Sequence, residues 1–224
     1  LIRVHLQKCL LSPDYERQRF LTFLEATLNT ARYSNHFVAC FSQASDQLSQ
    51  WRAYARDRSG FSIGFVSEEL KAAMKNQPVK LVPCIYTPEA QTAIVAEMCE
   101  DIVSEFLACK KMDLLTNSAA GTLIRRLMEV APILKDPSFS EEQEWRLVND
   151  AHPGRIYFRA GSSMLLPYVK FSLAESEQPL KFKEVVVGPT PHMQLSLISA
   201  SQLVSMPSVW CHQIRPSQVP YRSW

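Results

Sequence analysis

The 224-residue sequence predicts an α+β fold. Three observations carry that expectation. Helical and strand-like patterns come in blocks (helices, short strands, a helical pair, then mostly strands) rather than in regular βαβ alternation. A cap residue followed by proline, the signature of a helix start, recurs at Ser12-Pro13, Thr87-Pro88 and Thr190-Pro191. Short runs such as Phe61, Ile63 and Phe65 alternate with period two, as strands do.

Taken in order, Ile2, Leu6 and Leu10 are spaced for a short helix, and the helix opened by Ser12-Pro13 turns Phe20, Leu21, Leu24 and Leu28 inward. Residues 37–42 read as a buried strand, residues 46–56 as a helix or turn, and 61–65 as a strand after the break at Gly60. Residues 79–86 alternate as well, with Pro83 marking an edge or bulge. Thr87-Pro88 opens a long helix with Ile94, Met98, Ile102 and Phe106 on one stripe, and a second helix covers about 118–134. Strands are expected over 155–159, 165–173 and 184–188, then a helix from Thr190-Pro191, then a last strand over 209–214.

Composition is that of an ordinary globular protein, with 46% hydrophobic residues, 21% charged and a net charge of +2. That balance requires no nucleic acid or membrane partner. No run approaches the length of a membrane span, so no membrane is expected. The six cysteines form no CxxC pair and several lie in apolar runs, which suits reduced thiols and a cytoplasmic location. Six glycines spell neither GxGxxG nor a P-loop, and there is no GxSxG. Five histidines show no HExxH or HxH spacing, so no metal is expected.

The chemistry-bearing stretch is Glu142-Gln143-Glu144-Trp145-Arg146. On a strand, Glu142, Glu144 and Arg146 share one face, while Trp145 and Leu147 face a core. Carboxylates this close raise each other's pKa and a neighbouring arginine lowers it. The same row also fits a salt-bridged solvent face. Trp51 and Tyr54, three apart, fit either a core or a ligand platform, and Arg52 fits a solvated face or a phosphate contact.

Three ordered blocks carry a family resemblance: CFSQASDQLSQWRAYARDRSGFSIGF (40–65), FSEEQEWRLV (139–148), and LKFKEVVVGPT with IRPSQVPYR (180–190 and 214–222). Together they resemble a large prokaryotic family of unknown function, numbered two-nine-seven-one. The chain is read as a single α+β domain over 1–224 with a helical insertion at about 88–135. It starts at Leu1 and is expected to lack the N-terminal segment usual in that family.

More distantly, the layout is similar to that of ADP-ribosyltransferases. That resemblance implies a small two-sheet core with the helical pair inserted, and NAD as substrate in a cleft without a glycine-rich loop. It implies catalytic roles for Glu144, Glu142 and Ser42: Glu144 stabilises the ribosyl cation, Glu142 positions or deprotonates the acceptor, and Ser42 orients Glu144 or the ribose. Tyr54 and Trp51 would stack on nicotinamide, and Arg52 or Arg146 would pair with pyrophosphate. The first-strand arginine or histidine has no counterpart, Arg3 lying in a helical-looking run. A bacterial toxin or phage-defence setting follows from the same resemblance. The alternatives are a metal-dependent nucleotide or nucleic-acid-processing enzyme and a non-catalytic interaction module. The acceptor and the oligomeric state are not specified by the sequence.

Overall fold

A computed structural model of the chain describes residues 4, 15–31, 36–55, 60–108, 112–149, 155–173 and 180–220. In chain order the elements are α1 (Tyr15–Ala31), β1 (Val38–Ser42), α2 (Leu48–Tyr54), β2 (Phe61–Gly64), α3 (Ser67–Met74), β3 (Val79–Pro83), α4 (Pro88–Ala108) and α5 (Met112–Val130). There follow β4 (Glu144–Asn149), β5 (Tyr157–Ala160), β6 (Leu165–Tyr168), β7 (Leu180–Val187), α6 (Met193–Val204) and β8 (Val209–Pro216). The fold is mixed α and β with small open sheets of order β1-β4-β3, β2-β7-β8 and β5-β6. The α+β class stands. The run at 1–10, the Ser12-Pro13 start, and Tyr221 and Arg222 lie outside the described residues, apart from Val4.

The chain gathers into two compact units. The first takes Leu1–Cys40 and Val82–Pro153. Its core is a three-helix cluster: Phe20, Leu21 and Leu24 from α1, Val95, Met98, Cys99, Ile102 and Val103 from α4, and Leu123 and Leu127 from α5. Their spacings of three and four place each set on one helical stripe, and each such side chain contributes about 1.5–3 kcal/mol on burial. The helical pair over 88–135 therefore supplies most of this core. α4 begins at Pro88, where the cap-plus-proline signal put it. α5 starts earlier than 118 and stops at Val130, where Pro132 tightens the chain into a 3-10 turn over Ala131–Ile133. β4 lies at the centre of its sheet. Asn149 ties β4 to the segment entering β1, its Oδ1 accepting from Phe37 N at 2.7 Å.

The second unit takes Phe41–Leu81 and Gly154–Trp224. β2 runs antiparallel to β7, with Phe61 opposite Val187 and Ile63 opposite Val185. β8 runs parallel to β7, with α6 as the crossover. α6 begins at Met193 rather than directly after Thr190-Pro191, because the Thr190 hydroxyl accepts from His192 N at 3.3 Å and holds a turn first. Rings of Phe41, Phe65 and Phe182 meet edge-on at 5.9 and 5.5 Å. Gly188 allows the closest approach in this unit: its N–H donates to Gly60 O at 2.9 Å, and a Cβ there would lie 2.7 Å from the Trp51 ring.

Candidate functional site

The row expected on one strand is built differently. β4 starts at Glu144. Glu142 instead ends a 3-10 helix over Pro137–Glu142, and Gln143 between them adopts a left-handed φ of 44°. A strand cannot continue through such a residue, so Glu142 does not share the β4 face by alternation. That part of the sequence reading is corrected. The two carboxylates converge nonetheless, because the Lys135 amine donates to both Glu142 Oε2 and Glu144 Oε2.

Glu144 is the centre of the cluster and only 4% exposed. Arg146, two residues on along the same face of β4, donates from Nε to Glu144 Oε1 at 2.8 Å and from Nη2 to Oε2 at 3.3 Å. Its Nη1 donates to Pro132 O. The Glu144 backbone is fixed as well: its N–H donates to the Tyr86 hydroxyl at 2.9 Å and its carbonyl accepts from Cys84 N at 2.9 Å. Lys135 is placed by its own backbone, with its N–H donating to Ile85 O at 3.1 Å and its carbonyl accepting from Gln91 Nε2 at 2.7 Å. Its amine also lies 5.1 Å from the Phe139 ring centroid.

Two carboxylates and two cations thus face one another in a half-buried group of zero net charge. Burial alone would raise the Glu144 pKa. Hydrogen bonds from Arg146, Cys40 and Lys135 overcome it and lower the carboxyl from 4.5 to about 2. Burial pulls the Lys135 amine down, but Glu142 and Glu144 outweigh it and hold the amine well above its ordinary value. Burial pushes the Cys40 thiol up to about 11, helped by its bond to the Glu144 carboxylate. Burial also raises Cys84, against the pull of Arg146. Both thiols are therefore protonated at neutral pH and serve as S–H groups beside Glu144 rather than as nucleophiles. Cys40, Cys84, Cys99 and Cys211 are free thiols.

The remaining predicted residues belong to the second unit. Ser42 Oγ accepts from Ala44 N at 3.0 Å and donates to Ala44 O at 3.2 Å, closing the turn after β1. Trp51 is 5% exposed, and its indole N–H donates to Asp46 Oδ1 at 2.7 Å. Tyr54 is 72% exposed and Arg52 is exposed beside it on α2. The structure thus brings Glu142, Glu144 and Arg146 together in one unit, and gathers Trp51 with a separate polar cluster in the other.

That second cluster unites distant parts of the sequence. Asp46 accepts from Ser217 Oγ at 2.6 Å and Gln218 N at 2.7 Å as well as from Trp51. Arg215 donates from Nε to Glu184 Oε2 at 2.8 Å and from Nη2 to Ser45 Oγ at 3.0 Å. Burial would raise the Asp46 carboxyl, but bonds from Ser217, Gln218 and Trp51 and the nearby Arg215 charge bring it below its usual value. The bond from Arg215 lowers Glu184.

Sequence reasoning missed Lys135, Cys40 and Cys84. Cys40 could have been found, since it lies two residues before Ser42 on β1 and so shares that strand face. Nothing in the spacing of Leu134-Lys135-Asp136-Pro137 marks Lys135 as a partner of residues further along the chain.

Fold and site together define an α+β protein that carries a buried glutamate bracketed by a lysine and an arginine. Residues 50–147 match the family model described as Protein of unknown function (DUF2971), so that stretch of the chain is similar to that family. The matched stretch holds Trp51, Tyr54 and the Glu142–Leu147 motif and ends before the third block of the resemblance. No curated protein and no solved structure matches the chain. Among the described residues no helix is long and apolar enough to cross a membrane.

Proposed function

We propose that the chain is an ADP-ribosyltransferase-like enzyme that uses NAD as substrate, with Glu144 as its central catalytic group. The observation that carries this reading is a single one: Glu144 is held ionised, to about 2, and clamped on both oxygens by Arg146 and Lys135. Cleaving the nicotinamide–ribose bond leaves the bonding electron pair on nicotinamide and a cationic ribose carbon. A fixed negative charge beside that carbon stabilises the transition state without reorganising at the moment of reaction. Glu142 is the more accessible carboxylate of the pair. In this reading it accepts the acceptor's proton as the new bond forms to the ribose carbon. In this reading Arg146, whose fork is engaged by Glu144 and Pro132 O, positions the carboxylate rather than a pyrophosphate. The order of Ser42, Trp51/Tyr54 and Glu142/Glu144, similar to that of the transferases, adds support, and the same likeness implies a toxin or phage-defence setting.

A second reading has its own observation. With an almost fully buried side chain, Glu144 offers little surface to a ligand, which favours a structural ion-pair hub in a non-catalytic interaction module. The metal-dependent alternative gains no support from the donor set: among the described residues no group of three or more His, Cys, Asp or Glu side chains is gathered for an ion. Incubation with NAD labelled in the nicotinamide ring separates the first two readings. The enzyme reading expects nicotinamide release that falls about a hundredfold or more in Glu144→Gln, the scale of losing one preorganised electrostatic group. It expects Glu142→Gln to lose transfer to an acceptor more than hydrolysis. Absence of turnover by a folded wild type sinks it.

A further inference from the structure

The β5–β6 hairpin carries charge of one sign only, and nothing in the NAD reading uses it. From Gly154 to Leu173 there is no Asp or Glu, while Arg155, Arg159 and Lys170 carry three positive charges against a net +2 for the whole chain. The register sorts this segment into two faces. Tyr157 pairs with Tyr168 and Arg159 with Leu166, so these four share one face. Arg155 and Lys170 join it, lying over the Tyr157 ring at 5.1 and 4.5 Å from its centroid. The Tyr157 and Tyr168 rings stack, with centroids 5.6 Å apart. The opposite face is apolar and includes Phe158.

The way these cations are held matters. None of the three makes an ion pair with a described residue. Arg155 and Lys170 are instead positioned by the electron-rich face of a tyrosine, which restrains the side chain without neutralising it. Their charge stays available to an anion, and part of the ordering cost of binding is already met. The platform itself is firm. Gly161 N–H donates to Met164 O at 2.9 Å across a loop so tight that a Cβ on Gly161 would lie 2.8 Å from that oxygen. Beyond β6, Gln77 clamps Ser172 through both its backbone groups at 2.8 Å.

We propose that this face of the hairpin binds single-stranded nucleic acid. Arg155 and Arg159, four residues or about 13 Å apart along an extended chain, and Lys170 beside Tyr157, none of them ion-paired to a described residue, provide contacts for phosphates. Tyr157 is taken up in holding the cations, and Tyr168, stacked on it by one face, adds an aromatic surface for an unstacked base, which a duplex keeps hidden. The absence of any carboxylate from the segment removes the repulsion that a phosphate chain would otherwise meet.

The test is fluorescence anisotropy of the full chain with a labelled uridine 15-mer and a labelled thymidine 15-mer over a salt series. The variants are Arg155→Ala/Arg159→Ala/Lys170→Ala and Tyr168→Ala, with folding checked by thermal melting. The wild type is expected to bind at low salt. The triple variant is expected to bind at least tenfold more weakly, with a salt slope shallower by roughly 2, at about 0.7 per single-strand phosphate contact. Should the triple variant fail to fold, Arg159→Glu alone, on an exposed side chain, gives the same sign of effect. No binding by the wild type, unchanged affinity in the folded variants, equal affinity for a duplex of the same length, or capture by phosphatidylserine vesicles without oligonucleotide binding would each overturn the proposal. The result stands apart from NAD turnover, since none of these residues belongs to the Glu144 cluster.

Discussion

Two groups of cations in this chain are held in opposite ways. Lys135 and Arg146 are fixed by carboxylates and their charge is spent locally, on Glu142 and Glu144. Arg155 and Lys170 are fixed by a tyrosine ring, and their charge is kept. A neutralised cluster inside a fold fixes geometry and ionisation. An uncompensated one at the surface draws an anionic partner. The difference predicts that substitutions in the first group act chiefly on stability and ionisation, and those in the second chiefly on binding.

The comparison breaks most sharply at Glu144. Glu144→Ala leaves Lys135 and Arg146 half-buried without their shared acceptor, and the expected loss is about 3–5 kcal/mol of unfolding free energy in a denaturant titration. A loss below about 1 kcal/mol, the scale of exposed ion pairs, would place the cluster with the surface group instead.

The acid limb of the stability curve sharpens it next. The Glu144 carboxyl is depressed in the fold, from 4.5 to about 2. The native state therefore binds that proton less readily than the unfolded chain does. The contribution is fully present above pH 4.5 and is lost as pH falls toward 2. Asp46 and Glu184 are lowered too and add to the same trend. Denaturation midpoints measured through this range should fall more gently in Glu144→Gln than in the wild type.

The smallest expected effect is on the other side of the comparison. Arg159→Ala, at an exposed side chain with no ion pair to a described residue, should change the melting free energy by no more than about 0.5 kcal/mol. A larger loss would mean that the hairpin cations hold the fold together rather than serve a partner.

Much of the fold was legible because its signals are local. The Thr87-Pro88 start and the three- and four-residue spacing of Val95, Met98, Cys99 and Ile102 define α4 without tertiary information. At Thr190-Pro191 the same local logic placed the helix but not its first residue, since the Thr190 hydroxyl accepts within a turn and α6 opens at Met193. At the site, Glu144 and Arg146 on one face could be read from strand alternation, whereas the position of Glu142 could not. A single left-handed residue, Gln143, breaks the period, and Glu142 rejoins Glu144 only through Lys135. The link between Asp46 and Ser217 and that between Arg215 and Glu184 were equally hidden. They join parts of the sequence far apart, and no spacing rule reaches that distance.

The measurement closest to the central claim is release of nicotinamide from NAD by the wild type and by Glu144→Gln at matched folded fraction. The account predicts steady release by the wild type and a loss of about a hundredfold or more in the variant, in which shape is kept and the fixed charge removed. Equal rates in the two proteins, or no release by the folded wild type, would contradict it and leave the Lys135–Glu144–Arg146 cluster as a device of structure alone.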